Sequence, residues 1–154
     1  MFRITLDFIG SEPQGLRFRL AFHSSSGRWL LPYPEITGLR FVPVCGGGES
    51  EWSTRYLVSE PRDEFVLKRD DRIAFDLVAS VNASDESKRW NIQLAAFEYE
   101  VRHVFKVDAA AARYDYLGKG SRYAAITPPW VAVIESNAVL VAVPSQSPPT
   151  TNVA

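Results

Sequence analysis

The stretch from Arg72 to Val107 constrains this chain most, because it consists of two long segments of alternating polarity joined by a polar turn. Ile73, Phe75, Leu77, Ala79 and Val81 fall on one side of a period-two pattern, and Tyr99, Val101, Phe105 and Val107 do the same in the second segment. Both segments are predicted strands with one apolar face each. Such a face has to be buried against another layer, so the remaining chain is expected to supply a covering sheet.

The flanking sequence fits that demand. Phe2, Ile4, Leu6 and Phe8 alternate with Arg3, Thr5 and Asp7, and Leu16 to Phe22 repeats the pattern with Arg17 and Arg19 outward. A hairpin is expected, with a loop over Gly10 to Gly15 somewhat longer than the tightest types. From Arg28 to Val44 the chain carries Pro32, Pro34 and Pro43, which cannot donate ladder hydrogen bonds. Strand is expected there only at Leu39 to Val44. Further short strands are expected at Thr54 to Val58 and Phe65 to Leu67. A final strand over Val131 to Val143 is expected to break at Glu135-Ser136-Asn137. The one helical piece is 108–114, where Asp108 caps a run of alanines. Short strands separated by turns, with almost no helix, predict an all-β, antiparallel two-sheet sandwich, with a barrel as the alternative. One domain is expected over residues 1–143, followed by a tail of linker composition at 144–154.

Composition removes several function classes. The chain has 154 residues, a length that lets a single domain bury roughly two thirds of its unfolded surface without disulfide or metal support. Seventeen basic and eighteen acidic side chains give a net charge of −1, so no global field draws it to nucleic acid or to a membrane. The N-terminus alternates in polarity instead of following a basic start with an apolar run, which points to a cytoplasmic protein and makes the sequon Asn82-Ala83-Ser84 incidental.

The segment Glu98-Tyr99-Glu100-Val101-Arg102, followed by Trp130 and then Glu135-Ser136-Asn137-Ala138-Val139, resembles the end of bacterial immunoglobulin-like sandwich domains. Their penultimate strand reads roughly Gly-x-Tyr-x-Val/Leu-Arg, and their last carries Trp-x-Gly and then Ser-Asn-x-Val. The approach from Leu67 to Phe75 is similar to the turn and strand that precede these. Phe97-Glu98 and Ala132 stand where that pattern has glycine. The resemblance covers about half the chain and implies an immunoglobulin-like fold with an interaction or spacing role.

Chemistry finds little footing. The single cysteine, Cys45, has no intrachain partner and is read as a structural thiol, and the two histidines share no metal-ligand spacing with it. His103 lies on the apolar face of its strand and is read as a hydrogen-bonded structural residue. His23 precedes Ser24, Ser25 and Ser26, yet no nucleophile elbow surrounds these serines. Glu98 and Glu100 share a face that Arg102 continues and neutralises. The turn Asn82 to Ser87 lacks the ligand alternation of a calcium loop. No cofactor, metal or catalytic residue is therefore expected. The candidate binding surface is the connection 114–130, where Tyr114, Tyr116, Tyr123 and Trp130 flank Lys119 and Arg122. A connection of that length is either functional or disordered, and its aromatic and basic groups suit protein contact, sugar stacking or base stacking. Their competing role is to cap the open end of the fold. The expected function is non-catalytic protein interaction or self-association, with carbohydrate binding as the alternative and a small hydrolase as a remote one.

Overall fold

The computed structural model describes residues 2–12, 15–53, 64–83, 91–107 and 132–144. In chain order the strands are β1 (Phe2–Glu12), β2 (Gly15–Ser24), β3 (Arg28–Pro32), β4 (Leu39–Pro43), β5 (Trp52–Ser53) and β6 (Glu64–Lys68). They continue as β7 (Arg72–Val81), β8 (Asn91–Ile92), β9 (Glu98–Val107), β10 (Ala132–Glu135) and β11 (Val139–Ala142). A short 3-10 turn at Ile36–Gly38 leads into β4. The described structure is all-β. The expected strand Thr54 to Val58, the helix 108–114 and the tail from residue 145 lie outside the described residues.

Three sheets form: a five-stranded one in the order β1-β2-β7-β8-β5, a four-stranded one in which β9 pairs with β4, β10 and β11, and the two-stranded β3-β6. Among the described strands none of these sheets closes into a barrel. The two alternating segments that dominate the sequence are not partners. β7 lies inside the first sheet and β9 at the centre of the second, and each turns its apolar residues into a shared core. Phe22 of β2 joins all three sheets, with ring centroids 5.2 Å from Phe65 of β6, 5.7 Å from Phe75 of β7 and 5.0 Å from Phe105 of β9. Edge-on aromatic contacts of this kind add to what area burial alone contributes.

Several expectations are corrected in detail. The β1–β2 hairpin pairs as far as Glu12↔Gly15, so its loop is only two residues long; a register shift between Phe8 and Gly10 leaves Ile9 as an extra, exposed residue. A bulge of this type hides in the sequence because the alternation resumes on the other parity beyond it. Gly15 is required by close approach, since a Cβ there would stand 1.9 Å from the Ala79 carbonyl oxygen. β3 is a strand despite Pro32, which occupies its last position, where one missing donor costs the ladder little. The pairing is not wholly antiparallel, because β8 runs parallel to β7. Asparagine side chains secure that return: Asn82 exchanges two hydrogen bonds with the Leu94 backbone, at 2.8 and 2.7 Å, and Asn91 does the same with Ala83, at 3.0 and 3.3 Å.

The expected break in the last strand is present. β10 pairs with Val104–Val107 of β9 and β11 with Glu98–Val101, and the residues between them, Ser136 to Ala138, leave the ladder. Ser136 Oγ accepts from the His103 backbone at 2.8 Å. Asn137 turns its amide onto β1, accepting from the Leu6 N–H at 2.8 Å and donating to the Leu6 carbonyl at 3.0 Å. The amide thus stands in for a neighbouring strand and covers part of the β1 edge.

Candidate functional site

The residues of the expected binding surface, Tyr114, Tyr116, Lys119, Arg122, Tyr123 and Trp130, lie outside the described residues, as does Trp90. Trp29 and Trp52 are accounted for by packing. Trp29 packs against Phe2 with ring centroids 5.4 Å apart and donates to the Ser26 carbonyl, and Trp52 donates to the Leu39 carbonyl beside Phe41.

His103 is 1 % exposed, on the core face of β9 among Tyr99, Val101 and Phe105. Its Nε2 lies 2.8 Å from the Glu35 carbonyl oxygen, so the neutral ring carries its proton on Nε2 and donates. Nδ1 is buried without a partner. Burial pulls the imidazole down to about 4, the Glu35 hydrogen bond opposes this, and the Arg40 cation adds to it. Gly38 makes room for the ring, since a Cβ there would meet His103 Nε2 at 2.5 Å. A group this closed in positions the 3-10 turn against β9 and cannot exchange protons with a substrate.

His23 and Ser24 do not form a nucleophile pair, because consecutive strand residues face opposite ways. Ser24 is buried and donates to the Ser26 carbonyl at 3.1 Å, whereas His23 faces outward with Nε2 3.0 Å from Thr5 Oγ1. Cys45, read as a structural thiol, is exposed on the turn after β4. Among the described residues no group of three or more His, Cys, Asp or Glu side chains could hold a metal ion. No helix among them is long and apolar enough to cross a membrane.

A cleft of about 160 Å³ opens between the β1–β2 hairpin tip and the ends of β7 and β11, lined by Glu12, Leu16, Val81, Asn82 and Val143 among others. It is smaller than the roughly 300 Å³ at which small-molecule sites begin. Its carboxylate is committed, because Glu12 pairs with Arg17 through both oxygens and is held below the usual carboxylate range by that hydrogen bond.

The outer sheet faces carry the remaining candidates. On the four-stranded sheet the outward rows read Val42–Glu100–Leu140 and Arg40–Arg102, and Val44 continues the face beyond β4 by bonding the Glu98 carbonyl. Val44 is 54 % exposed and Leu140 64 %. Glu100 neutralises Arg102 at 2.5 Å as its position implied, Glu135 adds a contact at 3.8 Å, and Arg40 pairs with Glu49 at 2.9 Å. On the five-stranded sheet the outward rows read Arg3–His23–Arg72, Thr5–Ala21–Ala74 and Asp7–Arg19–Asp76. Asp76 binds Arg19 at 2.9 Å and Arg17 at 3.2 Å, and the hydrogen bond from Arg19 holds its carboxyl below the ordinary value.

No family model, curated protein or solved structure matches this chain.

Geometry alone therefore ranks the candidates, and it brings forward two surfaces that the sequence did not single out. Val44 and Leu140 sit almost a hundred positions apart, and Arg3, His23 and Arg72 come from three strands. A signal for the second group existed in part, since Arg3 and His23 are the outward ends of one expected hairpin. The third strand's register was not deducible.

Proposed function

We propose that the chain is a cytoplasmic, non-catalytic protein-interaction module on an immunoglobulin-like β-sandwich, binding another protein or a second copy of itself. The observation that carries this reading is the outer face of the four-stranded sheet. Val42, Val44, Leu140 and Ala142 lie on either side of the Glu98–Glu100–Arg102 spine of β9, with Val133 further along the same face. Exposed aliphatic side chains around a charged spine are the mix that transient protein interfaces use: apolar area supplies affinity and the charges select the partner. A cytoplasmic setting is supported by the lone, exposed Cys45 and by Asn82, whose Nδ2 is already donating to Leu94 and is poorly placed to accept a glycan. The neutral, enclosed His103 and the charge-paired Glu12 and Asp76 support the non-catalytic part.

The test is affinity capture from the native extract with two baits, the wild-type chain and Val44→Asp/Leu140→Asp, alongside light scattering of each. Both positions are exposed, so the variant should fold with a melting temperature near that of the wild type. The reading requires the variant to lose a captured protein or a concentration-dependent increase in mass. Identical behaviour of the two baits would refute it.

A further inference from the structure

We propose that the outer face of the five-stranded sheet holds a binding site for a soluble, phosphate-bearing ligand, clasped by Arg3 and Arg72 on either side of His23. The register places Arg3 opposite His23 and His23 opposite Arg72, so the three basic residues form one row across β1, β2 and β7. Two strand spacings separate the arginine backbones by roughly 10 Å, a span over which two guanidinium forks can converge on one tetrahedral oxoanion. Thr5, bonded to His23 Nε2 at 3.0 Å, fixes the imidazole between them. The adjoining row carries the Thr5 hydroxyl and the methyl of Ala74 on either side of Ala21, which is fully buried.

What singles this row out is the missing counter-charge. Like charges held close together on a sheet face repel, and two other arginine pairs on the outer faces of the described structure are answered by acids. Arg17 and Arg19, two apart on β2, share Asp76, with Glu12 pairing Arg17 as well, and Arg40 and Arg102, opposite one another, are met by Glu49, Glu100 and Glu135. Arg3 and Arg72 have no ion-pair partner among the described residues. Of the two acids that precede Arg72 in the chain, Asp71 accepts from the Lys68 N–H at 2.9 Å and Asp70 faces Arg69. Arg3 and Arg72 both lie close enough to depress His23, after the larger effect of its burial. An oxoanion in the row would relieve this repulsion. Four residues along the strands, roughly 13 Å away, the same face turns acidic at Asp7 and Asp76, so it suits a compact anion and not an extended polyanion or a lipid surface. The site is independent of the interaction face on the other sheet.

His23 reports on the site directly, because the chain's only other histidine, His103, is buried and serves as internal control. Inorganic phosphate is titrated into the full chain at pH 7.5 and constant ionic strength while the imidazole resonances are followed by NMR. The expected result is a saturable shift of His23 alone, half complete at about 1 to 10 mM, and at least about tenfold weaker in Arg3→Ala/Arg72→Ala. Should the double variant misfold, each single variant is expected to weaken binding several-fold. Sulfate, whose charge is constant across the range, should raise the midpoint of the His23 titration, since a bound anion favours the imidazolium facing Arg3 and Arg72. A shift that stays linear to about 100 mM, or one that survives loss of both arginines, overturns the proposal. So does sedimentation with phosphatidic acid vesicles when inorganic phosphate has no effect.

Discussion

Acid should destabilise this fold through His103 before it reaches the carboxylates. An unfolded histidine takes up a proton as pH falls through its ordinary 6.5, whereas His103 in the fold stays neutral until about 4. Between those values the unfolded state binds more protons, so stability rises with pH across this window and levels off below about 4. The displacement corresponds to about 3 kcal/mol lost between pH 7 and pH 4, a large share of what holds a domain of this size together. With a urea dependence of about 2 kcal/mol per molar, the unfolding midpoint should fall by about 1.5 M. His103→Gln removes the titration while keeping a donor for the Glu35 carbonyl. Its absolute stability at pH 7 should drop, because the ring's packing over Gly38 is lost, but its loss between pH 6.5 and 4 should be smaller by about 3 kcal/mol. His23, also depressed, contributes to the same window in both proteins and cancels in the comparison. Glu12 and Asp76, both lowered, act only once pH falls below their ordinary 4.5 and 3.8. Urea midpoints of both proteins at half-unit steps of pH decide the matter, and parallel decline of the two curves would show that His103 is not the acid-sensitive element.

Other expected outcomes follow from individual contacts. Phe22→Ala removes the ring on which three sheets converge and should cost about 3 to 5 kcal/mol in chemical denaturation. Gly38→Ala forces a methyl into the His103 ring and the Val104 carbonyl, and should cost about 1 to 3 kcal/mol by the same assay. Asn137→Ala leaves both Leu6 backbone groups without their amide partner, so hydrogen exchange at the Leu6 amide should accelerate and stability should fall by about 1 to 3 kcal/mol. Tyr123→Ala with Arg122→Ala should weaken partner binding by about 1 to 3 kcal/mol with little change in melting temperature if 114–130 is a contact element; a large stability loss without a binding defect would mean those residues serve the core instead.

Alternation marked the long strands and which way most of their side chains face. Leu16, Phe18, Leu20 and Phe22 are buried and Arg17 and Arg19 turn outward because backbone pleating forces a period of two and water selects between the faces. The same rule put His103 in the core and Glu98, Glu100 and Arg102 outside, and the polar interruption at Glu135-Ser136-Asn137 marked where the last strand bends. Pairing was not legible. Period two fixes a face and leaves the neighbour open, so the alternation of β7 and β9 could not say that the two lie in different sheets, packed against each other through contacts such as Phe22 on Phe105. Short polar residues were equally mute: Asn82 and Asn137 read as turn or break residues, but each bonds both ways to a backbone distant from it in the chain. The row Arg3–His23–Arg72 exists only once three strands are in register, because its chemistry lies in the spacing between side chains that the chain order keeps apart.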